Sequence, residues 1–275
     1  FPDLSMPWIN GVLSLVMLTA AACLTARVFE IKSRLWQVLL GALLIVFPSQ
    51  IVTFSYMFTC APYALAVLLA AGSAYVLLCR EGRRRYAPAC AMLALSLGIY
   101  QAYLSIAASW CVVYLLKRTL DGEWSARRIV RCGVSCAAYL ALSLAAYFAI
   151  NKIVMLAAHT EYNSYADASF QTDISSMLFG LRVAYTAFLG YFYRGYYHLV
   201  ASDTSRLMHY VCLAVVMGEL ALWFIKDRPD RARGALAAAL LALLPLSVNC
   251  LYVISAQRHT LMLYSFTAVY ILAAV

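Results

Sequence analysis

The chain has 275 residues, of which 65% are hydrophobic and only 12% charged, with a formal net charge of +9 and a mean hydropathy of +0.80. Soluble domains carry about 25% charged residues, so this composition excludes a soluble enzyme and defines an integral membrane protein whose partner is the lipid bilayer. In such a chain a positive excess is loop charge that sets orientation, and no nucleic-acid partner is expected.

Uncharged stretches run from Trp8 to Ala26, Leu35 to Cys79, Tyr86 to Leu116, Cys132 to Asn151, Gly234 to Gln257 and Thr260 to Val275; Leu207 to Ile225 is broken only by Glu219. A helix needs about 20 apolar residues to cross the hydrocarbon, so the longer stretches hold two crossings. None alternates with the two-residue period of a barrel strand. The expected fold class is therefore all-α, a polytopic transmembrane helical bundle.

Most Lys and Arg residues fall in four loops, Arg27 to Arg34, Arg80 to Arg85, Lys117 to Arg131 and Lys226 to Arg233. Basic residues beside spans stay in the cytoplasm, so these loops share one side, which requires an even number of crossings between each pair. That predicts nine spans with the amino end outside, at 8–26, 36–50, 61–79, 86–98, 102–116, 133–151, 207–225, 235–255 and 260–275. The outside segments are then residues 1–7, 51–60, the turn at Ile99 to Gln101, a long loop over 152–206, and Ser255 to His259. Residues 1–275 form one transmembrane domain. The chain opens with Phe1 rather than Met and stops in an apolar run at Val275, so a fragment is expected, lacking material at both ends.

Within Tyr86 to Leu116 the run SLGIYQAYLS, residues 96–105, places Tyr100 and Gln101 at the outer turn of a helical hairpin. Arms of about 13 to 15 residues reach only about 20 Å. Snorkelling of Arg85 and Lys117, or thinning of the bilayer, makes up the difference and leaves a polar dip beside the turn. An interfacial aromatic belt, with Gln101 merely capping the turn, accounts for the same spacing.

The outer loop is too aromatic to be disordered. Ser175 to Val200 carries five tyrosines, with Arg182 and Arg194 as its charges, and reads as interfacial helices lying in the outer surface or dipping in and returning. A full crossing there would put Lys226 to Arg233 outside. Upstream, HTEYNSYAD at 159–167 brings Tyr162, Tyr165 and Asp167 together as candidate sugar or acceptor contacts, with a solvated loop as the alternative.

Arg258 and His259, between the last two expected spans, suit a phosphate, which a guanidinium grips with two parallel hydrogen bonds. An interfacial anchor fits them equally, and Arg194 and Lys152 are weaker candidates of the same type. Glu219, inside a span, reads as a structural hydrogen bond to a neighbouring helix. The nine cysteines show no paired spacing and read as packing residues, with no disulfide or metal set. No P-loop, dinucleotide fingerprint or nucleophile elbow is present, which points to a lipid-linked donor in place of a cytosolic nucleotide.

The SLGIYQAYLS run, the Pro48-Ser49-Gln50 and Phe54-Ser55 segments, the opening FPDLSMPW and the tyrosine-rich VAYTAFLGYFYRG at 183–195 together resemble the serotype-converting O-antigen glucosyltransferases of bacteria, the type II Gtr family of the GT-C superfamily. The resemblance implies a multi-pass enzyme of the bacterial plasma membrane, active on its outer face and without a cofactor. Its donor would be a polyprenyl-phosphate-linked glucose and its acceptor a lipid-linked surface glycan. It places Tyr100 and Gln101 in the donor pocket and gives Arg258 no role. The family's acid lies in a first outer loop, expected upstream of this chain; Asp3 is the one acid left of that loop, with a helix-start cap as its other reading. Such an acid acts as general base on the acceptor hydroxyl while an arginine stabilises the leaving phosphate. An O-antigen polymerase would need a larger charged outer loop, and a lipid or glycan transporter an internal repeat with polar residues at the midplane.

Overall fold

A computed structural model describes residues 6–160, 173–194, 203–253, 255 and 259–274, and every described element is helical. Among the described residues eleven α-helices follow in order: α1 Pro7–Val28, α2 Arg34–Val46, α3 Pro48–Ser55, α4 Cys60–Cys79, α5 Tyr86–Ile99, α6 Leu104–Asp121, α7 Ala126–Ala157, α8 Ile174–Arg194, α9 Asp203–Lys226, α10 Arg231–Val248 and α11 Thr267–Leu272. Short 3₁₀ segments lie at Arg83–Arg85, Gln101–Tyr103, Cys250–Val253 and Thr260–Phe266.

The helix ends follow local chemistry. Pro7 opens α1 at a position whose N–H would be unpaired in any case. Phe47, forced extended by the proline after it, ends α2 at φ −55°, ψ 139°, and Pro48 then starts α3. The span expected over 36–50 is therefore broken, with α2 and α3 bent by 44°. Gly122 closes α6 in the left-handed region at φ 78°, and the Asp230 carboxylate caps α10 by accepting the Arg233 N–H at 3.0 Å.

At the centre stands α6, whose residues from Leu104 to Leu116 are all buried, as suits a helix apolar on every face. It packs against α10, α7, α4 and α11. A second tight contact joins α1 to α4, and both helices bury small residues, Ala21 and Ala22 on α1 and Ala66, Ala70, Ala71 and Ser73 on α4. Small residues let helices approach closely where lipid supplies no hydrophobic drive between them. Hydroxyls then tie helix to helix: Ser73 donates to the Ala89 carbonyl at 2.6 Å and meets the Tyr139 hydroxyl, and Ser96 donates to the Ala66 carbonyl at 2.7 Å.

Among the described residues five helices are long and apolar enough to cross a membrane alone, α1, α4, α7, α9 from Arg206 and α10, and six if the bent α2–α3 pair counts as one. The other expected spans are shorter or more polar: α5 has 14 residues, the last turn of α6 carries Arg118 and Asp121, and 260–275 is a 3₁₀ segment followed by the short α11. Within residues 152–206, expected as an outer loop with helices of its own, α7 continues to Ala157, α8 takes Ile174–Arg194 and α9 begins at Asp203. Along α8, Val183, Ala184, Ala187, Tyr191 and Phe192 are buried, and its contacts are with Cys250–Val253, α10 and α9.

The four basic loops meet at one end of the bundle. Arg118 pairs with Glu30 at 2.5 Å, the Trp223 indole N–H donates to the Leu120 carbonyl at 3.0 Å, and Arg233 donates to the Thr119 carbonyl at 3.3 Å. Arg85, Tyr86 and Arg118 line one cavity there. The turn at Tyr100 lies at the far end of α5 and α6.

Candidate functional site

The hairpin turn is built by one residue leaving the helical region. Tyr100 takes φ −153°, ψ 110°, so α5 stops, while its N–H still caps the Ser96 carbonyl at 2.9 Å. The Tyr103 N–H returns to the Tyr100 carbonyl at 3.2 Å, and one 3₁₀ turn leads into α6. Tyr100 is thereby set half-buried between two other rings, edge-on to Tyr63 and to Tyr103 with centroids 5.1 Å away in both cases. Tyr103, fully buried, tilts against Tyr264 at 6.4 Å, and Tyr264 is edge-on to Phe47 at 6.0 Å.

Gln101 points outward, exposed, and donates from its amide to the Tyr147 hydroxyl of α7 at 2.8 Å. Gln50 is buried on α3, which packs against Thr260–Phe266, where the Tyr264 hydroxyl donates to the Leu44 carbonyl at 2.8 Å. The Pro48-Ser49-Gln50 segment and the Tyr100-Gln101 turn, distant in sequence, thus meet through Tyr264 and Tyr103. The buried Ser49 hydroxyl beside them has no partner among the described residues.

A second aromatic group adjoins the first through Phe47, edge-on to Tyr270 at 6.0 Å. Here the Tyr270 hydroxyl lies 2.6 Å from His209 Nδ1 and 3.4 Å from the Tyr191 hydroxyl, and the Tyr191 and Phe266 rings are 4.1 Å apart. Sequence reasoning passed over His209, although a histidine inside an expected span is a signal of its own. It also passed over Tyr63, Tyr147 and Tyr264, whose roles depend on long-range contacts.

Of the expected site residues, Tyr100 and Gln101 fall together at this end. His259 is exposed just before the Thr260–Phe266 segment, and its carbonyl accepts the Met262 N–H at 2.9 Å. Arg194 is the last residue of α8, one turn beyond Tyr191. Asp3, Tyr162, Tyr165, Asp167 and Arg258 lie outside the described residues. Glu219 corrects its expectation: exposed on α9, it lines a cavity with Lys117 and Lys226 at the basic end and makes no hydrogen bond to a neighbouring helix among the described residues. Among the described residues no cluster of three His, Cys, Asp or Glu side chains fits a metal ion. The exposed Gln101 amide beside half-buried tyrosine rings suits a hydroxyl-rich ligand, because an amide offers both donors and an acceptor.

A multi-helix membrane protein with a polar, tyrosine-rich site opposite its basic end is the class that fold and site define. The chain belongs to the GtrII glucosyl transferase family, whose sequence profile matches residues 1–275. No curated protein and no solved structure matches it. Membership makes it an enzyme of glucosyl transfer.

Proposed function

We propose that the protein transfers a glucosyl unit from a polyprenyl-phosphate-linked donor to a lipid-linked surface glycan in the GT-C manner, at the outer face of the bacterial plasma membrane. The observation that carries this reading is the meeting of Tyr100, Gln101, Tyr103, Gln50 and Tyr264 at the end of the bundle away from the basic loops. Basic loops remain cytoplasmic, so that end faces outward, where lipid-linked sugars are assembled into surface glycans.

In the reaction the acceptor hydroxyl attacks the anomeric carbon, the bond from that carbon to the phosphate oxygen breaks, and polyprenyl phosphate leaves with the bonding electron pair. The hydroxyl proton passes to a carboxylate acting as general base. Gln101, held by Tyr147, orients the donor, while the rings of Tyr63 and Tyr100 bound the sugar. Arg258 and His259 are assigned to the leaving phosphate, Arg194 supports them, and Tyr162, Tyr165 and Asp167 are assigned to the acceptor. Asp3, the one acid within residues 1–7, is assigned as that base.

The test is transfer of labelled glucose from undecaprenyl-phosphate-glucose to lipid-linked glycan by the full-length protein in proteoliposomes. Labelled glycan is the expected product. Passage of intact lipid-linked glycan across the bilayer with no donor consumed would contradict the reading.

A further inference from the structure

At the basic end, a cavity of about 1010 Å³ opens between α1, α4, α6 and α7. Arg27 enters it from α1, Arg80 and Arg85 from the loop after α4, Arg118 from α6, and Arg127, Arg128 and Arg131 from the first turns of α7. Three acids, Glu30, Glu81 and Glu123, share this lining. Arg118 engages two of them, Glu30 at 2.5 Å and Glu123 at 3.6 Å. The other six arginines form no ion pair among the described residues.

Several of these guanidinium groups are held in place. Arg85 donates to the Arg80 carbonyl at 2.6 Å and to the Tyr86 hydroxyl at 3.4 Å, and its buried Nε has no partner among the described residues. Arg128 stacks over the Trp124 ring at 4.3 Å. Six like charges converging on one concavity repel one another unless an anion sits among them. Phosphate is the anion whose oxygens match the guanidinium fork.

A second cavity, of about 990 Å³, runs between α1 and α2 and shares Arg27 and Glu30 with the first. Ala22, Cys23, Ala26, Val38 and Gly41 form its apolar walls, and Lys32 and Arg34 also line it. A phosphate site continuous with an apolar slot on the bundle flank has the outline of a phospholipid. We propose that the basic end binds an anionic phospholipid, with its headgroup phosphates among the arginines of the first cavity and an acyl chain between α1 and α2. The charge excess favours a headgroup with two phosphates, of the diphosphatidylglycerol class. The site is distinct from the transfer site and does not rest on it.

Binding of diphosphatidylglycerol to the purified full-length protein in phosphatidylcholine nanodiscs tests this, with Arg127→Ala/Arg131→Ala beside Arg231→Ala, a basic-end change outside the cavity. At about one kcal/mol per basic residue near a lipid surface, the double variant should bind about thirtyfold more weakly. Arg231→Ala should bind as the wild type does. Equal weakening by both variants would mean nonspecific charge attraction and overturn the site. Displacement of the lipid by millimolar inorganic phosphate would reassign it to free phosphate, and tighter binding of undecaprenyl-phosphate-glucose would reassign it to the donor. Should the double variant fail to fold, native mass spectrometry of the wild type decides: retained diphosphatidylglycerol supports the site, and retention of zwitterionic lipid alone overturns it.

Discussion

Gln101, at the turn between α5 and α6, donates its side-chain amide to the Tyr147 hydroxyl on α7 at 2.8 Å, joining positions 46 residues apart. This bond fixes the turn to a third helix. Tyr147→Phe keeps the ring and removes the acceptor, so the donor KM should rise about two- to tenfold, the worth of one net hydrogen bond, with kcat little changed. Gln101→Ala also removes the groups left open to the donor and should lower kcat/KM more than tenfold. Steady-state kinetics on both variants separate the effects. Wild-type KM in Tyr147→Phe would show that the bond does not position Gln101.

Inside the bundle, Ser73 on α4 links the Ala89 carbonyl of α5 to the Tyr139 hydroxyl of α7. Hydrogen bonds between membrane helices are worth about 0.6 kcal/mol on average and up to about 1.7. Tyr139→Phe should fall in that range and Ser73→Ala near its top, because Ser73 serves two neighbours. Reversible unfolding in detergent mixtures measures both, and a larger loss for Tyr139→Phe would reverse the order.

Trp110 is fully buried on α6, edge-on to Phe29 at 6.2 Å, and its indole N–H has no partner among the described residues. Trp110→Ala should cost about 3 to 5 kcal/mol through the cavity it leaves. Trp110→Phe keeps much of the packing and deletes an unpaired donor, so it should cost under about 1.5 kcal/mol. A Phe variant as unstable as Ala in the same unfolding assay would show that the indole N–H is in fact satisfied.

Asp173 precedes α8, accepting hydrogen bonds from the Ser175 hydroxyl and from the Ser176 N–H at 2.8 Å, and these hold its carboxyl down at about 2 from the ordinary 3.8. Because the folded value is depressed, this cap is fully present above the ordinary value and is lost as pH falls through about 2. Asp173→Ala should therefore raise hydrogen exchange in the first turn of α8 at pH 6, and its difference from wild type should shrink as pH falls below 4 and vanish about one pH unit below the folded value. An undiminished difference at pH 2 would assign the effect to something other than the carboxylate.

Much of the architecture is legible in the sequence because Lys and Arg avoid the hydrocarbon: the even-crossing rule alone brings Arg27 to Arg34 and Lys117 to Arg131 to one end, where Glu30 and Arg118 pair. Helix ends are less legible. Pro48 interrupts an unbroken apolar run, and only its steric effect on Phe47 turns one expected span into α2 and α3. The 3₁₀ form of Thr260–Phe266 is set by tertiary bonds, with Tyr264 donating to Leu44 and Ser265 to the Val248 carbonyl at 2.7 Å, neither readable from local pattern. At the site, Tyr100 and Gln101 stand out as polar residues in an apolar run. Their neighbours do not: Tyr63 and Tyr264 resemble any other tyrosine until folding places Tyr63 against Tyr100 and Tyr264 against Tyr103.

The central claim is that the donor binds at the tyrosine-rich end. Its most direct test is photocrosslinking of a photoreactive undecaprenyl-phosphate-glucose analogue to the full-length protein in membranes, with the labelled peptides mapped by mass spectrometry. Crosslinks within residues 96–105 and 47–63, competed by unlabelled donor, are the predicted result. Competed crosslinks confined to residues 80–86 and 124–135, at the arginine cavity, would contradict it and move the donor to the opposite face.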